Sequence, residues 1–183
     1  MKKVISILLA LALLLFCAAA SAETAEATAE KSEIVTLRDA FTLKCNLPEG
    51  YALEVKTRTE DSVYATLTSE DAAKPVILIS IAYNDLYAGI ERMNDIPEED
   101  LAMYEAFFTI MDDVKFEYKE TGQGTKIMVV YETFEDVNFI DFYTIYKGYE
   151  TEFVMTPGTA EISDADIQMM MDFITDLDFV PVA

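Results

Sequence analysis

Carboxylates and tyrosines carry most of the chemistry open to this chain. It holds 34 Asp and Glu, ten Tyr, two Cys and no His. Without histidine, Ser-His-Asp and Cys-His nucleophile arrangements cannot be built in their usual form. Histidine-ligated zinc, iron and copper sites are excluded as well. Neither a Gly-x-Gly-x-x-Gly run nor a P-loop pattern occurs, so there is no sequence signature for a nucleotide phosphate.

Three acidic clusters could supply hard oxygen ligands to Ca2+: Glu98-Glu99-Asp100, Asp112-Asp113 and Asp164-Ala165-Asp166. None has the spacing or glycine of an EF-hand loop. The first and third stand where a helix is expected to begin, and acids there complement the helix dipole. Asp112 and Asp113 fall near an expected helix C-terminus, where the dipole disfavours them, so they are the residues of interest for a metal. Paired carboxylates could also run glycoside hydrolysis, but 34 acids make chance pairs unavoidable. Cys45 could be a nucleophile. It shares its parity with Phe41, Leu43 and Leu47, which places it on a buried face, where a thiol behaves as a small hydrophobe. Tyr83-Asn84-Asp85-Leu86-Tyr87 leaves an apolar strand. Tyrosine is large, rigid and amphipathic, so Tyr83, Asn84, Asp85 and Tyr87 are candidates for a ligand- or partner-binding surface.

The N-terminus sets the compartment in which any of this would operate. Lys2 and Lys3 precede an apolar run, Val4 to Ala19, broken only by Ser6, and Ala20-Ser21-Ala22 follows with small residues. This is the pattern of a cleaved signal peptide, with Glu23 as the new N-terminus. The run is shorter than the roughly 20 residues of a spanning helix. A lipoprotein acylated at Cys17 is disfavoured by Phe16, where a small residue is expected. Residues 23–33 then read as an acidic, flexible leader, and 34–183 as one domain.

Removing Lys2 and Lys3 leaves 11 basic residues against 34 acidic ones, a formal charge of −23. Such a surface repels nucleic acid and anionic lipid. It suits a basic protein, a cationic ligand or divalent cations, and it also keeps an exported monomer soluble. Only Cys45 remains after cleavage, so no internal disulfide is expected.

The elements that must position these residues follow from periodicity. Phe41 to Leu47, Tyr51 to Val55 and Val63 to Leu67 alternate with period 2, as half-buried strands do. Val76 to Tyr83 is apolar on both parities and reads as a central strand covered on both faces. Leu86 to Met93 suits a short helix. Pro97 to about Asp112 suits an amphipathic one, opened by Pro97 and three acids. Val114 to Glu120 and Thr125 to Thr133 form a hairpin around Gly122-Gln123-Gly124. Phe139 to Tyr146 and Tyr149 to Met155 form another around Lys147-Gly148. Ser163 and Asp166 form a capping pair for a last helix, with Ile167, Met170, Met171, Ile174 and Leu177 on its buried stripe. Phe179 to Val182 is a short extended tail. The expected fold class is α+β: one largely antiparallel sheet with helices on both faces.

This element order resembles the PsbP-like family, α/β/α sandwiches named for an extrinsic subunit of photosystem II, with exported bacterial relatives. The stretches that carry the resemblance are FTLKCNLPEGYAL, VILISIAY, FIDFYTIYKGYETEFVM and ISDADIQMMMDFITDLDFV, and it spans about Ile34 to Val182. The resemblance implies a binding or assembly factor rather than an enzyme. In that fold one relative binds a small GTPase, and the plant members stabilise a metal-containing complex. Neither role transfers residue by residue, and any histidine-built metal site of the family is absent here. The reading is therefore an exported, non-enzymatic domain, without a cofactor, that binds a protein or a small molecule. The alternatives are a calcium-dependent or calcium-stabilised accessory envelope protein and a carboxylate-based hydrolase.

Overall fold

The computed structural model describes residues 32–37, 41–109, 114–121 and 124–181. In chain order these form β1 (Ser32–Leu37), β2 (Phe41–Cys45), β3 (Tyr51–Arg58), β4 (Ser62–Ser69), β5 (Val76–Tyr83), α1 (Glu98–Thr109), β6 (Lys115–Glu120), β7 (Lys126–Phe134), β8 (Val137–Tyr146), β9 (Tyr149–Thr156), α2 (Asp164–Thr175) and β10 (Asp178–Pro181).

The strands make two sheets instead of one. Seven lie in the order β3-β4-β5-β9-β8-β7-β6, and three in the order β1-β2-β10. Neighbours pair antiparallel throughout both. The expected single sheet divides after β2. There the chain turns through Pro48 to Gly50, with Gly50 at φ +78° and the Tyr51 N–H donating to the Pro48 carbonyl. The strand β1 starts at Ser32, two residues inside the segment read as a leader, and pairs Ser32 with Cys45. The C-terminal tail closes the small sheet by pairing Phe179 with Leu43.

Alternation along the strands gives the large sheet two chemically distinct faces. Ile77, Ile79, Ile81, Val129, Phe142 and Phe153 point to one. They pack with Met170, Phe173 and Ile174 of α2 and with Phe41, Leu43 and Cys45 of the small sheet. Met128, Val130 and Ile145 point to the other and pack with Leu101 and Phe108 of α1 and with Met93. Val129 and Met128 are adjacent, so the two helices lie on opposite faces. Each fully buried Phe, Ile or Leu on these faces adds roughly 1.5–3 kcal/mol of apolar transfer free energy.

The helix caps follow the sequence. Ser163 Oγ accepts from the Asp166 N–H at 3.3 Å, and the Asp166 carboxylate accepts from the Ser163 N–H at 3.0 Å. Glu98, Glu99 and Asp100 fill the first turn of α1. One expected helix is absent. Leu86 to Met93 instead forms two 3-10 turns, Asp85–Tyr87 and Met93–Asp95, with an extended stretch between them. The physical reason is competition for its backbone. The Ile90 and Glu91 carbonyls accept from the Gly148 and Lys147 N–H groups of the β8–β9 turn, so they are taken from any helical ladder. No helix among the described residues is long and apolar enough to cross a membrane.

Candidate functional site

The segment 84–95 works as a strap over the end of the β8–β9 hairpin. At its start the Asn84 N–H donates to the Gly148 carbonyl. The Asn84 side chain accepts from the Leu86 N–H at 3.1 Å and donates to Glu150 Oε2 at 3.3 Å. Further along, Arg92 forms an antiparallel bridge with Tyr146. At its end, Asn94 donates to the Gly124 carbonyl at 3.0 Å and accepts from the Lys126 N–H at 2.8 Å. The strap is thus tied to both hairpins of the second half of the chain. Gly148 permits this contact. It sits at φ +77°, and a Cβ there would come 2.8 Å from Tyr83 Cε2 and 3.3 Å from the Tyr87 carbonyl oxygen.

The four residues singled out for recognition all lie at this strap, but they do not form one aromatic face. Tyr83 is half-buried and meets Tyr149 edge to face, with ring centroids 5.3 Å apart. Tyr87 packs into the other core, beside Met93 and Leu101. Burial, and then the Glu150 carboxylate, push the Tyr87 hydroxyl above its usual pKa. Asp85 is exposed and Asn84 is used as a cap. Leu86, between Asp85 and Tyr87, is 85% exposed.

Where the strap meets the small sheet, the surface opens into a cleft of about 180 Å3. Five segments of the chain line it. Arg92 comes from the strap, and Thr121 and Thr125 from the adjoining β6–β7 turn. Thr144 and Tyr146 of β8 form the floor. The opposite wall is Ile174 and Leu177 at the end of α2, with Asp178 and Phe179 of β10. Tyr146 stacks on Phe179 with centroids 3.9 Å apart and planes at 24°. Phe41 packs edge-on against both rings and so anchors this corner to the core. The polar residues Arg92, Thr121 and Thr125 sit on the strap and the β6–β7 turn, and the apolar ones on the end of α2 and on β10.

A second cluster occupies the α1 face of the sheet. Asp141 of β8 is only 6% exposed, and its Oδ1 has no hydrogen-bond partner among the described residues. Burial pushes its carboxyl well above the usual range, and Glu132 and Glu152 push it further, against a hydrogen bond from Tyr143. Burial also raises Glu152, which the Tyr143 hydrogen bond partly offsets. Glu132 is raised by burial. Burial and mutual repulsion thus hold all three carboxyls toward their neutral form. Among the described residues, no group of three or more acidic or cysteine side chains is placed to hold a metal ion.

Asp112 and Asp113 lie outside the described residues. Of the other acidic clusters, Asp166 caps α2 and has Lys74 Nζ at 3.8 Å. Cys45 is fully buried, and burial pushes its thiol pKa up to about 11, so it is neither exposed nor ionised at neutral pH.

Sequence reading missed the cleft. Its lining is drawn from positions as far apart as Arg92 and Phe179, with no shared motif. The one available signal was the rarity of arginine: the chain has three, and Arg92 sits in an otherwise acidic stretch.

No protein-family model matches the chain, and no curated protein matches it. Among solved structures, it is similar to the solution structure of cyanobacterial PsbP from Synechocystis sp. PCC 6803. The identity is 11% and the TM-score 0.47, over 87% of this chain and 98% of that one. It is also similar to a crystal structure from Bacteroides thetaiotaomicron VPI-5482, at 13% identity and a TM-score of 0.46. That match covers 83% of this chain, which spans about half, 49%, of the Bacteroides chain. Both are likenesses of fold alone, in keeping with the PsbP-like element order read from the sequence, and at these values neither carries an argument about function.

Proposed function

We propose that this chain is an exported, non-enzymatic binding domain, and that its ligand is a small molecule held in the cleft between the strap and the α2–β10 wall. The supporting observation is the cleft itself. It is the place where polar side chains from several segments converge on a space of about 180 Å3, room for several waters. Its walls are fixed by Asn94 on one side and by the Phe41–Tyr146–Phe179 packing on the other. Walls held in this way reduce the ordering cost of binding. Export rests on the signal-peptide pattern of residues 1–22, and N-terminal sequencing of the secreted protein should begin at Glu23.

Protein-observed NMR tests the binding role. The purified protein is screened against small polar molecules, namely amines, sugars, alcohols, amides and carboxylates. The proposal predicts that the hits shift the amides of Arg92, Thr121, Thr125 and Thr144. A screen in which every hit maps elsewhere, or only a protein partner is bound, contradicts it.

A further inference from the structure

We infer that the cleft takes a small organic monocarboxylate with an apolar body, its charge against Arg92 and its body against Ile174 and Leu177; this rests on the reading of the cleft as the ligand site. The argument is an inventory of donors. Arg92 forms no ion pair with another described residue, so its guanidinium brings five N–H donors and a fixed positive charge. Thr121 Oγ1 already accepts from the Thr125 N–H at 3.1 Å, which leaves its hydroxyl hydrogen to donate. Thr125 adds a second hydroxyl on the same wall. Thr144 donates to the Lys126 carbonyl at 3.0 Å and so presents acceptor lone pairs on the floor. The polar wall is therefore rich in donors and carries one positive charge.

The opposite wall limits what else the ligand can be. Phe179 gives that wall an apolar edge, while Ile174 and Leu177, 5% and 3% exposed, reach it only with the tips of their side chains, which favours a small hydrocarbon group over a second polar group. A dianion such as phosphate is a poorer fit. The chain carries a formal charge of −21, and among the described lining residues Arg92 alone is cationic. The size is that of a short branched acid or a one-ring acid.

The test uses matched pairs that differ only in charge: phenylacetate and phenylacetamide, benzoate and benzamide, isovalerate and isovaleramide. Each is titrated into the purified protein and followed by amide chemical shifts. The expected result is saturable shifts at Arg92, Thr121, Thr125 and Thr144 for the acids, with millimolar dissociation constants typical of ligands this small, and weaker or no binding of the amides. Arg92→Gln should weaken the acids by about two- to five-fold, the range of a solvent-exposed ion pair, and change the amides less. Arg92 is exposed, so the variant should melt with the parent. Thr125→Val is the second probe, and it should weaken the acids less. Amides that bind as tightly as acids, or acids indifferent to Arg92→Gln, would overturn the carboxylate assignment while leaving the cleft as a binding site. No saturable shift at the cleft for any of the six would overturn both.

Discussion

The two faces of the seven-stranded sheet use the same strands and bury different things. Toward α2 and the small sheet lies a dry core of Ile77, Ile79, Ile81, Phe142 and Phe153, closed over by Phe41 and Leu43. Its polar interruptions Thr144 and Thr151 stand opposite one another, and Thr144 is the floor of the cleft. Toward α1 the same strands present Glu132, Asp141, Tyr143 and Glu152, with Met128, Val130 and Ile145 as the apolar part. The first face supplies packing energy and a rigid wall for the cleft. The second holds carboxyls whose state depends on pH. A single parity shift along β8, from Phe142 to Asp141, separates the two behaviours.

The largest expected effect comes from breaking the dry face. Phe142→Ala should cost about 3–5 kcal/mol of stability, read from chemical denaturation. A loss well under half of that would mean that this face is not the main core.

Asp141→Asn should act in the opposite direction on the other face. Asp141 has a folded-state pKa raised above the ordinary 3.8. The folded protein therefore keeps that proton after the unfolded chain has released it, and the stability this lends is full below about pH 3.8 and declines as pH rises toward the folded value. Asparagine never ionises. The variant should thus be more stable than the parent at pH 7, and the difference should shrink as pH falls from the raised folded-state value toward about 3.8 and stay constant below it. A variant less stable than the parent at pH 7 would contradict the account of this face.

Gly148→Ala sharpens the role of the strap. With φ at +77° and Tyr83 Cε2 2.8 Å away, the new methyl meets both backbone strain and a ring. A loss of about 1–3 kcal/mol is expected, together with amide shifts running from Asn84 to Arg92. An unchanged strap would show that it is not seated on the hairpin. The smallest effect is Ser163→Ala, about 1 kcal/mol from the lost α2 cap, measured by thermal melting; no change would place the N-terminal hydrogen bonds of α2 elsewhere.

Much of the fold was legible because it is local. Period-2 runs gave β2 to β4, the apolar run Val76 to Tyr83 gave β5, the turn at Lys147-Gly148 gave the β8–β9 hairpin, and Ser163 with Asp166 announced α2. The parity of Cys45 gave its burial correctly. What depended on distant partners was not legible. The 84–95 segment lost its expected helix because the β8–β9 turn takes its carbonyls. The split into two sheets depends on β10 pairing with β2 across most of the chain. The cleft was invisible for the same reason, since no window of sequence holds Arg92, Thr144 and Leu177 together. Asp141 was read only as part of the strand Phe139 to Tyr146, since its partners Glu132 and Glu152 come from β7 and β9.

The most direct test of the cleft is an intermolecular NOE experiment on the protein with phenylacetate bound. The account predicts contacts from the ring protons to the methyl groups of Ile174 and Leu177, weakened in Arg92→Gln at the same ligand concentration. Saturable binding whose contacts fall on other methyl groups, or no binding at all, would contradict it.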